Sequence, residues 1–271
     1  MGLEPILVLE LLALGTVVGF LAGLLGVGGG MMMVPVLTYL LTQRGVPAAL
    51  AVKMAIATSM ATIMFTSLSS VRAHQALGAV RWPIVRSLAP GIVLGSLVAG
   101  AGAFAVLKGK GLALLFAVFM TYIAVQMFRD RKPRPGREMP GPWGTTAAGG
   151  VIGFLSGLVG AGGAFVSMPF MTWCNVPPRH AVGTSAALGF PIAMASTLGY
   201  VISGWSLPSV LPGSLGYLYL PALAVISAAS MALAPLGART AQKINTAVLK
   251  RCFAALLLAL AATMLHNGLR M

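Results

Sequence analysis

The sequence predicts an all-α membrane protein, a polytopic helical bundle of two inverted repeats whose helices break or re-enter at two glycine clusters. Three observations carry that expectation. Charged residues make up 8% of the chain against 58% hydrophobic, and mean hydropathy is +0.93. About a quarter of a soluble domain is charged, because a folded surface needs it to stay in water. Apolar runs of about the 20 residues that a helix needs to cross the hydrocarbon core recur along the chain. A glycine-rich segment near the start also returns past the middle.

The long apolar runs cover residues 5–25, 48–71, 83–106, 112–128, 143–159, 181–203, 215–235 and 248–265. Two more, 31–41 and 164–173, are too short to cross alone as straight helices. The first run lacks the basic flank of a secretory signal and carries Glu4 and Glu10 instead, so it reads as a retained span. Cys174 and Cys252 have no partner at metal or redox spacing and read as small buried residues. The formal charge of +14 sits in short loops between spans. There it orients the chain in the bilayer, and no nucleic-acid partner is expected.

The repeat is the most informative feature. Residues 19–39 read GFLAGLLGVGGGMMMVPVLTY and residues 153–173 read GFLSGLVGAGGAFVSMPFMTW, identical at 10 of 21 positions. Glycines and the proline pair (Pro35 with Pro169) stay in register, which apolar composition alone would not achieve. A second match sets Ala55–Ser59, AIATS, against Ala181–Ser185, AVGTS. The chain therefore divides into a first transmembrane repeat over 1–128, a basic cytoplasmic linker over 129–142 and a second repeat over 143–271.

Loop charge bears on orientation. The loop after the third segment of half one holds Arg72 and Arg81, with Arg86 just beyond, whereas its counterpart over 203–214 has no charge. Cytoplasmic loops collect Lys and Arg. With the linker RDRKPRPGR inside and five segments per half, 13 basic residues face the cytoplasm and 5 face the other side. That favours inverted halves. If each short run returned to its own side, the halves would be parallel.

Both glycine clusters, Gly26, Gly28, Gly29 and Gly30 in one half and Gly160, Gly162 and Gly163 in the other, should unwind their helices. Unwound backbone inside a bilayer survives only where protein buries it or where it lines a wet cavity. Broken helices at matching positions of two halves point to a transport site near the midplane. The half-helix after each break offers free N–H groups and a positive dipole end to an anion. By contrast, the rows Gly15, Gly19, Gly23 and Gly149, Gly153, Gly157 read as close helix packing. A dinucleotide fingerprint would need a preceding strand and a βαβ unit.

Thr58 with Ser59 and Thr184 with Ser185 occupy matching places in the next helix, and half one continues with Thr62, Thr66, Ser67, Ser69 and Ser70. Such hydroxyls either bond their own helix or serve a substrate. Five residues before each Thr stands a base, Lys53 or Arg179, the latter beside His180. These either draw anions into each mouth or snorkel to the headgroups. The sequence's acidic residues, Glu4, Glu10, Asp130 and Glu138, all lie outside the spans beyond the first helix. Cation pumps and proton relays normally hold intramembrane carboxylates, so a cation substrate is disfavoured. His74, His180 and His266 fall at segment ends. No cofactor, metal or catalytic residue is expected.

With the paired glycine clusters, the Thr-Ser pairs and the loop AHQALGAVRW over 73–82, the chain resembles the sulfite exporter TauE/SafE family of membrane permeases over essentially its whole length. The resemblance implies a bacterial inner-membrane transporter that moves sulfite, organosulfonates and related sulfur-containing anions, generally outward. Half two departs from the pattern of half one with Ala164 where Gly30 stands. The expected function is thus an exporter of small anions by alternating access, with the bilayer and the anion as partners and a homo-oligomer compatible. The alternatives are an anion channel, a non-transporting membrane assembly subunit and, as an enzyme, an intramembrane hydrolase with Ser156 as nucleophile. The last needs a base within hydrogen-bond reach, and none is identifiable from the sequence.

Overall fold

The structure, a computed structural model, describes residues 5–26, 29–129, 138–208, 210–241 and 246–270. Gly28, the core of the linker (130–137) and the side chain of Cys252 therefore lie outside the described residues; Cys174 is buried.

Ten helical segments are described, five in each half. The first five are α1 (Pro5–Leu25), α2 (Gly30–Gln43), α3 (Ala48–Ala76), α4 (Trp82–Val106) and α5 (Gly109–Arg129). The second five are α6 (Pro142–Val159), α7 (Ala164–Trp173), α8 (Pro178–Gly204), α9 (Leu220–Thr240) and α10 (Thr246–Arg270). The described residues contain 7 helices long and apolar enough to cross a membrane. At 18 residues α6 is as long as the shortest of them but lies outside that set, because glycines and threonines dilute its apolar content. A two-stranded antiparallel hairpin, β1 (Ser214–Leu215) with β2 (Leu218–Tyr219), joins α8 to α9.

Helix ends follow local chemistry. Pro83, Pro142, Pro178 and Pro221 sit at the first turns of α4, α6, α8 and α9, where a missing N–H costs nothing. All four tryptophans (Trp82, Trp143, Trp173 and Trp205) lie at helix ends with exposed rings, the position an amphipathic ring takes at a membrane interface. Aliphatic side chains such as Leu9, Leu94, Val118 and Ile202 also face outward, as lipid contact requires. Prolines inside α2, α7 and α8 (Pro35, Pro169 and Pro191) are carried within otherwise helical segments.

Packing joins each half to the other. α1 runs alongside α9 in the same direction: Gly15 meets Ile226, Gly19 meets Ser230 and Gly23 meets Ala234. The equivalent pair, α4 with α6, is built the same way, with Gly91 on Thr146, Gly95 on Gly150 and Gly153 on Ile92. These are approaches only glycine permits. A methyl on Gly23 would stand 1.9 Å from the Ala234 carbonyl oxygen, and one on Gly91 1.8 Å from that of Thr146. The rows read from the sequence as close packing are therefore the seams between halves. At the centre α3 and α8 cross in opposite directions. Ser67 lies by Gly189, whereas Lys53 near the start of α3 shares a ring cluster with Tyr200 near the end of α8.

α4 passes through one π-helical turn, Val98–Ala103, where Gly100 packs on Ser196 and Gly199 of α8. Such turns widen the helix by a residue and let two backbones touch. Its counterpart α9 is α-helical from Leu220 to Thr240.

Overpacking a seam should cost about 1–3 kcal/mol. Gly23→Val is expected to lower the thermal unfolding midpoint in detergent. Gly102→Ala, with nothing within 4 Å of the new methyl, should stay within about 0.5 kcal/mol of wild type. Equal midpoints for both variants would contradict the seam.

Candidate functional site

The breaks form where the glycine clusters lie. α1 ends at Leu25 and α2 starts at Gly30, while α6 ends at Val159 and α7 starts at Ala164. Gly26 and Gly29 take φ of 67° and 73°, and Gly160, Gly162 and Gly163 take 69°, 65° and 78°. Side chains resist that left-handed region, so these positions favour glycine. The short helices then begin afresh. Met32 and Met33 donate to the Gly29 carbonyl, and Val166 and Ser167 donate to that of Gly163.

The two breaks meet in the interior. A methyl on Gly30 would fall 2.0 Å from the Gly160 carbonyl oxygen, and Gly160 itself rests on Ile56 and Val34. Gly29 packs against Val18, Gly163 against Ile192 and Gly26 against Val182.

Beside this contact lies a small cavity between α3 and α8. Thr66, Ser67 and Ser70 line it from α3, Ser185 from α8, and Gly26 and Gly162 from the two breaks. Ala22, Ala186 and Gly189 complete the wall; the space enclosed is about 10 Å³, room for about one water, within about 230 Å³ of empty volume that includes open solvent. Most of its hydroxyls are committed within the protein. Thr66 shares a 2.6 Å hydrogen bond with Ser230, Ser67 donates to the Met64 carbonyl at 3.0 Å, and Ser185 pairs with Ser167 at 3.0 Å. Ser70 is different: its Oγ is buried without a partner.

Of the residues singled out in the sequence, Gly26, Gly162 and Ser185 come together in this cavity. Gly29, Gly30, Gly160 and Gly163 build the breaks around it. Thr58 and Thr184 do something else. The Tyr219 amide donates to the Thr58 hydroxyl at 3.0 Å, and the Arg81 amide donates to the Thr184 hydroxyl at 3.0 Å. Tyr219 and Arg81 are the residues that cap α9 and α4. Each threonine thus holds the start of the other half's fourth helix. Ser59 is buried without a partner and does not line the cavity.

The bases stand away from the cavity. Lys53 precedes Ser67 by 14 positions, about 21 Å along a helix. Its Nζ sits 5.5 Å from the centre of the Phe104 ring and 5.4 Å from that of Tyr217, and it donates to the Ala105 carbonyl at 3.3 Å. Phe104 packs tilted on Tyr200 and edge-on to Tyr217, and the Tyr200 hydroxyl donates to the Gly157 carbonyl. Burial pushes the phenols of Tyr217 and Tyr219 upward, with Arg44 partly opposing it at Tyr219, so both stay protonated at neutral pH. At the other end Arg179 donates to the Leu77 carbonyl at 2.7 Å, and His180 Nδ1 donates to that of Ala79 at 3.2 Å.

Thr66, Ser67 and Ser70 belong to the site, although the glycine pattern does not single them out. The signal was Thr58, Thr62, Thr66 and Ser70 at strict four-residue spacing, which sets four hydroxyls on one helix face.

A broken-helix bundle with a hydroxyl-lined interior cavity defines a polytopic membrane transporter, and comparison with known proteins agrees. The family model for the sulfite exporter TauE/SafE family matches residues 11–264. The chain belongs to that family. A "Probable membrane transporter protein" of Haemophilus influenzae is 36% identical over 258 residues, 95% of this chain and 97% of the relative. One from Methanocaldococcus jannaschii is 28% identical, covering 89% and 90%. A third, YunE of Bacillus subtilis, is 29% identical, covering 72% and 78%. No solved structure matches the chain.

Thr58→Val leaves the Tyr219 amide without its acceptor and should cost about 1–3 kcal/mol. Ser59→Ala removes a hydroxyl that bonds nothing and should be neutral or stabilising. Thermal unfolding of the two purified variants checks the contrast; a Ser59→Ala loss as large as that of Thr58→Val would refute it.

Proposed function

We propose that this protein moves small sulfur-containing oxyanions, sulfite or short organosulfonates, out of the cytoplasm across the bacterial inner membrane by alternating access. The observation that carries the reading is the cavity walled by both breaks, Gly26 from one half and Gly162 from the other. A site shared by two repeats can be exposed to either side as one repeat rocks against the other.

Inversion of the repeats, 1–128 against 143–271 about the basic linker, is supported by the packing. α1 lies parallel to α9 and α4 parallel to α6, while α3 and α8 run opposite ways. First and fourth segments of one half would point oppositely if the halves were related by an axis in the membrane plane. Five crossings in each half would produce such a relation, whereas short runs that returned to their own side would not. Arg81 and Arg179 share one end of the bundle and Lys53 lies at the other. Taking the arginine-rich end as cytoplasmic puts Ser70 within two turns, and Ser67 within three, of the inner end of α3. The cavity is then loaded from inside, and the aromatic cluster around Lys53 seals the outer end.

Energetics favour export. Membrane potential is worth about 2.3 kcal/mol per charge per 100 mV, roughly a fiftyfold gradient for a monovalent anion. Inside-negative potential drives an anion outward without a coupled ion.

The protein reconstituted in liposomes is expected to release sulfite or methanesulfonate under an inside-negative potential, at rates that scale with protein content. Silence across a panel of such anions, with sodium or potassium moving instead, would end the proposal.

A further inference from the structure

The chemistry of the cavity limits the charge it can hold. Among the described residues its lining contains hydroxyls, glycines and alanines and no cationic side chain. Of the nearby bases, Arg72, two positions past Ser70, is exposed; His74, one turn past Ser70, is buried with its Nε2 donating to the Gly23 carbonyl at 3.1 Å; and Lys53, Arg179 and His180 are bonded to the carbonyls of Ala105, Leu77 and Ala79. An ion entering here exchanges water for neutral donors. Ion hydration grows with the square of charge, so a dianion loses about four times what a monoanion loses. Neutral hydroxyls cannot make up that difference without a counter-charge.

Donor inventory then selects one side chain. A serine carries a single O–H proton. In Ser67 that proton goes to Met64, Thr66 is bonded to the Thr62 carbonyl and to Ser230, and Ser185 is paired with Ser167 in a bond that either hydroxyl can donate. Ser70 Oγ alone among these four lining hydroxyls has no partner, although the residue is 3% exposed. A buried hydroxyl without a partner is disfavoured unless something absent from the protein satisfies it.

We infer that the cavity selects singly charged oxyanions over dianions, with the Ser70 hydroxyl donating to a substrate oxygen, so that Ser70 is a specificity-determining residue. This rests on the anion-carrier reading above. Sulfite enters as hydrogen sulfite, whereas a sulfonate enters unchanged at any working pH.

The test uses the full chain in liposomes under one fixed potential. Methanesulfonate flux should exceed sulfate flux by at least about tenfold. Sulfite flux should fall as pH rises and converts it to the dianion, without a matching fall for methanesulfonate. Ser70→Ala should cut methanesulfonate flux about tenfold or more, the loss of one hydrogen bond to a charged group. Ser227→Ala, which removes a buried unpartnered hydroxyl outside the cavity, should stay within about twofold of wild type. Removing an unpartnered hydroxyl leaves stability unchanged or raised, so an unaltered thermal midpoint for Ser70→Ala separates lost binding from lost folding. A methanesulfonate-dependent rise of that midpoint should occur in wild type and vanish in Ser70→Ala. Sulfate moving as fast as methanesulfonate, or Ser70→Ala moving methanesulfonate at the wild-type rate, overturns the inference and leaves the carrier reading intact. Silence toward both anions overturns the two together.

Discussion

Inside a bilayer a backbone that leaves the helix must be sheltered by protein, because no water is present to take its hydrogen bonds. This chain breaks two helices and then has to hide both breaks. It does so by pressing them together: Gly30 lies so close to the Gly160 carbonyl that no side chain could stand there. Each interruption is the other's cover. The glycine seams of α1 on α9 and α4 on α6 follow from the same demand, since they bring the two halves close enough for the breaks to touch. Without those seams the central contact would open, and polar backbone would face lipid.

Bringing the breaks together also dictates how the remaining elements are tied. Thr58 and Thr184 occupy equivalent places, and each accepts a hydrogen bond from the residue that caps the start of the opposite half's fourth helix. A helix start carries unsatisfied amides, and a threonine from the neighbouring repeat satisfies one of them. The bonds therefore fix the depth at which α4 and α9 begin relative to α3 and α8. Depth matters because those helices form the seams. Capping, seam and break are thus one connected arrangement, repeated twice within a single chain.

Most of this architecture is legible in the sequence, for identifiable reasons. Glycine register between residues 19–39 and 153–173 is a strong signal because left-handed φ and close approach both exclude other residues. The breaks and the short helices after them could be placed almost to the residue on that basis. The Thr-Ser pairs were found by the same repeat, yet their role was not readable. A threonine that caps a distant helix and one that faces a substrate look alike until the partner at residue 219 or 81 is known. The cavity hydroxyls Thr66, Ser67 and Ser70 lie in half one only, so a search for symmetry passes over them. Lys53, Arg179 and His180 were conspicuous as charges near the repeat motif, but their reach is set by α-helical rise, and that carries Lys53 to the far end of α3 from the cavity.

Where the halves differ is as informative as where they agree. At the end of α3 nearest Arg81, the base Arg179 bonds the Leu77 carbonyl of a short loop. At the opposite end the equivalent base, Lys53, is partly buried against the rings of Phe104 and Tyr217, and the hairpin that supplies Tyr217 has no counterpart in the short connection over 77–81. The π-helical turn that carries α4 onto Gly199 is likewise confined to one half. A strictly symmetric molecule would expose its centre equally to both sides. An ammonium held between two rings contributes about 0.5–2 kcal/mol depending on its desolvation, an amount comparable with the few kcal/mol that separate alternative states of a two-state protein. In the alternating-access reading proposed above, asymmetry of this size at one end of a symmetric core is enough to favour a state closed at that end while leaving the other state within thermal reach.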